Sequence, residues 1–169
     1  MGWIEKGWEE LSQRLRVALE QYREGEALVG VVHANQPGLF STQLYAIGVT
    51  PSRLILLPLD RRHAAAGEPV VLRAPDIEAS AIWGWGGSIG DWLQASAGSE
   101  IRFTAGGRKY RLLVLGGNLL EDALSGPSQK SGLQALLEFL LAARRCAGVD
   151  RRDGRLQPAV AGIGAGSRQ

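Results

Sequence analysis

The chain has 169 residues, 45% of them hydrophobic and 21% charged, which suits one domain with a real core and some extra length at its ends. Its net charge of +2 lies wholly in the last stretch, where Arg151, Arg152, Arg155 and Arg168 stand against Asp150 and Asp153, so the basic balance gives no argument for nucleic acid or membrane. A single cysteine, Cys146, excludes an internal disulfide framework, and no run approaches the roughly 18 to 20 apolar residues of a membrane span.

Trp3, Ile4, Trp8, Leu11, Leu15, Ala18, Leu19 and Tyr22 recur at three- and four-residue steps. They predict an amphipathic helix over residues 1–24, with Gly25 as its C-cap. Charges interrupt this segment too often for a secretory leader, so a cytoplasmic location is the default expectation. The helix carries four cations against five carboxylates, unlike the Lys- and Arg-rich face of a membrane-surface helix. Its apolar stripe is expected to dock on its own domain, with a protein partner as the second reading and a membrane as the third.

Leu28 to Ala34 reads as a first strand and Asn35-Gln36-Pro37-Gly38 as a turn. Gln43 to Val49 and Arg53 to Leu59 follow as strands, and Pro58 suits a strand end. Arg61 to Pro69 is a connecting loop. Val70 to Arg73 and Ile77 to Trp83 are short strands broken at Pro75. Glu100 to Thr104 and Lys109 to Leu115 form a hairpin around Ala105-Gly106-Gly107-Arg108, because Ile101 and Phe103 alternate with Arg102 and Thr104, and Tyr110, Leu112 and Val114 with Arg111 and Leu113. Ser131 is the expected N-cap of a closing helix, Gly132 to Ala147, whose apolar face is Leu133, Leu136, Leu137, Leu140 and Leu141. Three segments result: an N-terminal helix (1–24), one domain (25–147), and a Gly- and Arg-rich tail (148–169) expected to be disordered. Short strands followed by one helix predict a β-rich α+β fold, an antiparallel barrel or sandwich capped by the C-terminal helix.

Gly25-Glu26 precedes the first strand, and Val49-Thr50-x-x-Arg53-Leu54-Ile55-Leu56 leads into the third. With the Gly106-Gly107 hairpin and the closing helix, this order resembles the bacterial pleckstrin-homology-like (PH-like) and GRAM-type domains, over roughly residues 24–147. The resemblance implies a strongly bent antiparallel barrel plugged by its C-terminal helix, and a binding module in place of an enzyme. Lipid-binding members hold the headgroup with basic residues around the first inter-strand loop. Here Asn35 to Thr42 contains neither Lys nor Arg. Phosphate recognition needs fixed cations or a cradle of amides, so weak or no selective phosphoinositide binding is expected. For Arg53 two readings stand: an anchor bonding to a neighbouring loop, or a ligand contact.

His33 and His63 lie in different segments, and with Cys146 they have no metal-type spacing, so no metal and no cofactor are expected. Neither His-Glu-x-x-His nor Gly-x-Ser-x-Gly occurs, and no catalytic residue is expected. The Gly84 to Gly90 stretch fails as a phosphate loop: residue 89 is Ile, and no Gly-Lys-Ser/Thr closes it. Trp83, Trp85 and Trp92 in this glycine-rich segment either pack on the barrel or form an aromatic contact surface. The pairs Arg61-Arg62 and Arg108-Lys109 read as solvated turns, and no nucleic-acid partner is expected. The function expected is a non-enzymatic module that binds a protein partner or a second copy of itself, through the tryptophan loop, the N-terminal helix or both. The alternative is a peripheral membrane or lipid-binding module that inserts Trp3, Trp8 and the tryptophan loop.

Overall fold

A computed structural model describes residues 3–38, 41–83, 99–114 and 119–146. Trp85, Trp92 and the 148–169 tail lie outside those residues. Helix α1 (Trp3–Glu20) precedes seven strands: β1 (Gly30–Pro37), β2 (Thr42–Val49), β3 (Arg53–Leu59), β4 (Val70–Arg73), β5 (Ile77–Trp83), β6 (Ser99–Ala105) and β7 (Arg108–Val114). Helix α2 (Leu119–Cys146) follows. The strands form one antiparallel sheet in the order β4-β3-β2-β1-β7-β6-β5. The sheet curls about β1, which pairs with β2 from Gly30 to Pro37 but with β7 only at Ala34 and Asn35. The result is the PH-like arrangement: a curled antiparallel half-barrel closed by a C-terminal helix.

Alternation along the strands sorts their side chains into two cores. Val32, Ile47, Leu54 and Leu56 face the concave side, with Ile101, Phe103, Tyr110 and Leu112 from the other wing. Leu133, Leu136, Leu137 and Leu140 of α2 fill that hollow. On the convex side of β1–β3, Val31, Ala46, Ile55, Leu57 and Leu59 lie beneath Leu11, Leu15 and Leu19 of α1. Burial on both faces explains the unbroken Leu54-Ile55-Leu56-Leu57 run, whose four residues are all fully buried. Helix α1 therefore docks on its own domain.

Beyond shifts of one residue at the ends of β2, β6 and β7, three elements differ from the sequence reading. First, β1 starts at Gly30 instead of Leu28 and runs through Asn35, Gln36 and Pro37, and just past its end the Gly38 amide donates to the Ser41 carbonyl. Proline is tolerated there because β7 pairing has already ended. Second, α1 stops at Glu20. The amides of Tyr22 and Arg23 bond back to Leu19 and Glu20, and Gly25 serves the later turn into β1 instead of capping the helix. A 3-10 turn, Ala74–Asp76, also occupies the break expected at Pro75.

Third, α2 begins at Leu119, breaks at Gly126 (φ +78°) and Pro127, and then continues to Cys146. Ser131 is inside it, its hydroxyl bonding back to the Ser128 carbonyl, so it is not the N-cap. The cap comes from α1: Glu9 accepts from the Ser128 amide at 2.9 Å and from the Ser128 hydroxyl. Pro127 at the first position costs the helix no hydrogen bond, and a carboxylate suits the positive end of its dipole. A side chain at position 126 would meet Glu9 at 2.6 Å, so the glycine also makes room for this cap.

The remaining edge of β1 is closed by α2 itself. Gln129 is buried and brackets the His33 peptide, its Oε1 accepting from the amide (2.9 Å) and its Nε2 donating to the carbonyl (3.0 Å). One side chain thus does what a neighbouring strand would do. Gly132 crosses β1 so closely that a Cβ there would lie 2.1 Å from the Val31 carbonyl oxygen.

Candidate functional site

The inner side chains of β5–β7 belong to the core, which leaves the outer positions to solvent. Strand pairing aligns those positions in rows. Ala79, Thr104 and Lys109 stand side by side, and so do Ala81, Arg102 and Arg111. The small alanines at the edge strand and the long cations on β6 and β7 leave a groove of about 420 Å³ between them. On the inner side of the same two strands, β6 and β7, Phe103 and Tyr110 stack at 4.7 Å.

Charge on this face is arranged, not merely present. Glu100, the next outer position of β6, receives Nε and Nη2 of Arg111 at 2.9 and 3.1 Å, and also receives Nε of Arg102. The two guanidiniums hold the Glu100 carboxyl below its usual range, Arg111 contributing more than Arg102. The same contacts raise the Arg111 pKa. One carboxylate thus fixes two guanidiniums on the surface. Arg108 lies over the Tyr110 ring at 5.2 Å, and Lys109 makes no ion pair among the described residues. Glu78 is occupied by the Gly107 amide of the hairpin turn. Among the described residues, three cations, Arg102, Lys109 and Arg111, therefore line the groove.

Of the residues singled out in the sequence, Trp83 is the last residue of β5, opposite Glu100 and two positions beyond Ala81. The strand that carries the groove thus runs directly into the segment containing Trp85 and Trp92. Arg53 lies at the far wing. Its guanidinium pairs with Glu24 and, at 3.7 Å, with Glu26. Thr50 Oγ1 accepts from the Arg53 amide at 3.0 Å, and Glu26 accepts from both the amide and the hydroxyl of Ser52. The Ser52 hydroxyl first, then the Thr50 hydroxyl, lower the Glu26 pKa, with the Arg53 charge a smaller contribution. Gly25-Glu26 and Thr50-x-x-Arg53 thus converge in one cluster that joins the loop before β1 to the β2–β3 turn.

Sequence reasoning did not pair the two histidines. His33 on the outer side of β1 lies between Trp8 of α1 (ring centroids 5.6 Å) and His63 (4.9 Å). Asp60 shapes the loop that brings His63 there, its Oδ1 accepting from the amides of Arg62 and Ala64. Burial first, and the neighbouring His63 second, push the His33 pKa down to about 4, so the ring is neutral at pH 7. Among the described residues no group of three or more His, Cys, Asp or Glu could hold a metal ion, and no helix is long and apolar enough to cross a membrane.

No family model and no curated protein sequence matches the chain. A solved structure with a similar arrangement is the hSac2 domain from human phosphoinositide phosphatase Sac2. It aligns over 82% of each chain at 14% identity and a TM-score of 0.48.

Proposed function

We propose that the protein is a non-enzymatic binding module of the PH-like, GRAM-type kind. Its working surface is the outer face of β5–β7 together with the tryptophan segment that leaves β5. The observation that carries this reading is the groove over Ala79 and Ala81, bordered by ordered cations and continuous along β5 with Trp83. Indole side chains and arginines are the residue types that most often dominate protein interfaces. The N-terminal helix is the weaker candidate, because its leucines are already spent on its own domain. A protein partner, or a second copy of the chain, is favoured over a membrane.

The test compares the intact protein with Trp85→Ala and Trp92→Ala in capture from native cell extract and in sedimentation of the purified chain. The expected result is loss of a specific captured protein, or of self-association, with little change in melting temperature. Unchanged capture and unchanged sedimentation in both variants would refute the reading.

A further inference from the structure

The spacing of charge in the β5–β7 groove points further than binding in general. The two rows that line it, Ala79–Thr104–Lys109 and Ala81–Arg102–Arg111, are two residues apart along every strand. In extended chain that is about 7 Å, and side chains at alternate positions of any extended peptide repeat at the same interval. Each row ends in a cation, and the alanine at its other end leaves space for a backbone. We propose that this groove docks an extended acidic segment of a protein partner, laid over Ala79 and Ala81, with carboxylates at alternate positions facing Lys109 in one row and Arg102 and Arg111 in the other. The proposal rests on the preceding reading that this face is the working surface.

The chemistry favours a carboxylate-bearing peptide in three respects. Glu100 fixes the Arg111 guanidinium by Nε and Nη2, which leaves the donors of Nη1 for a second carboxylate. Lys109 is exposed and has no acidic partner among the described residues, so recruiting it breaks no existing ion pair. A membrane would want exposed apolar side chains here. The exposed large hydrophobic residues of the described structure are Val17, Val29 and Val71, none of them on this face. Among the described residues, edge strand β5 pairs on one side only, with β6, so a docked segment can also approach its backbone.

The experiment is a titration of the isotope-labelled full chain, followed by amide NMR shifts. One synthetic peptide alternates Glu and Val, and a control carries Lys for Glu. The acidic peptide is expected to shift amides in 79–81, 102–104 and 109–111. Its affinity should fall at least about tenfold in Lys109→Glu and fade as salt is raised to about 0.5 M. Lys109 is solvent-exposed, so the variant will fold. No shifts at these strands, or equal binding of the lysine peptide, would overturn the proposal. So would sedimentation with phosphatidylserine vesicles that Lys109→Glu abolishes while the peptide fails to bind. If Trp85→Ala and Trp92→Ala lose partner capture but the acidic peptide does not bind, the acidic segment alone is wrong and the working surface stands. If the peptide binds as expected but the tryptophan variants capture normally, the groove stands and the tryptophan reading falls.

Discussion

At His33 a basic side chain is kept neutral by burial beneath Trp8, and this couples stability to pH above the range of the carboxylates. The folded pKa is about 4 and the ordinary value 6.5. Between those two values the unfolded chain binds a proton that the folded chain refuses, so stability is full above pH 6.5, falls as pH drops towards 4 and then levels off. The separation corresponds to about 3 kcal/mol. His33→Gln should flatten the denaturation midpoint between pH 6.5 and 5, and a wild-type midpoint that is itself flat there would contradict this account. Glu26, with its pKa lowered chiefly by Ser52, acts in the lower range: its contribution is present above the ordinary carboxyl value and is lost as pH falls through the folded one. Gln129 and Gly132 guard the same strand from the other side. Gln129→Leu leaves the His33 amide and carbonyl unpaired in a dry site, a loss of about 2–4 kcal/mol in urea denaturation. Gly132→Ala should be at least as damaging, because the new methyl meets backbone and not a movable side chain. If Gly132→Ala were neutral or stabilising, as helix propensity alone would make it, the close crossing of α2 over β1 would be wrong.

Among the elements, the strands were largely legible, because period-two alternation and turn residues are local signals. β3 and β5 have the expected limits, and the hairpin turns at Gly106-Gly107 as expected. What escaped detection depends on residues distant in sequence. The sequence places the start of the closing helix at Gly132 and reads Leu119 to Pro127 as a loop or short helical turn, because Gly126-Pro127 breaks the pattern. The group that caps the helix there, Glu9, lies 119 residues earlier. The far end of β1 escapes for a related reason: Asn35 to Pro37 look like turn residues, yet β2 pairs with all three. At the candidate site, the alternation of Arg102 with Phe103 and of Arg111 with Tyr110 was visible in the sequence. Their alignment with Ala81 was not, since it depends on register across the chain segment between β5 and β6. The Glu9 cap has its own test. Glu9→Ala should cost about 1–2 kcal/mol and loosen amide protection at the start of the Ser128–Cys146 part of α2. Protection unchanged there would mean that the cap contributes nothing.

For the whole molecule, the decisive feature is that β1–β3 carry a core on each face. Helix α2 closes one and α1 the other, and Glu9 ties the two helices together. Loss of either helix therefore strips a face of the same three strands. Leu137 is buried in the α2 core, and Leu137→Asp would place an unpaired carboxylate there at a cost of several kcal/mol, a large share of the roughly 5–15 kcal/mol that holds a domain together. Removal of residues 1–24 acts on the opposite face. It withdraws Leu11, Leu15 and Leu19, each worth about 1.5–3 kcal/mol when buried, and uncovers Val31, Ile55, Leu57 and Leu59. It also takes the cap from Ser128, the Trp8 cover from His33 and Glu24 from Arg53. The 25–169 fragment should thus fail to give a cooperative thermal transition, or should associate through the uncovered sheet. Adding a synthetic peptide of residues 1–24 in excess should restore the transition, since burial of Leu11, Leu15 and Leu19 on the sheet needs no covalent link. A fragment that melts cooperatively as a monomer, with the intact protein's midpoint, would show that α1 is an appendage and that the convex core is not part of what holds the fold.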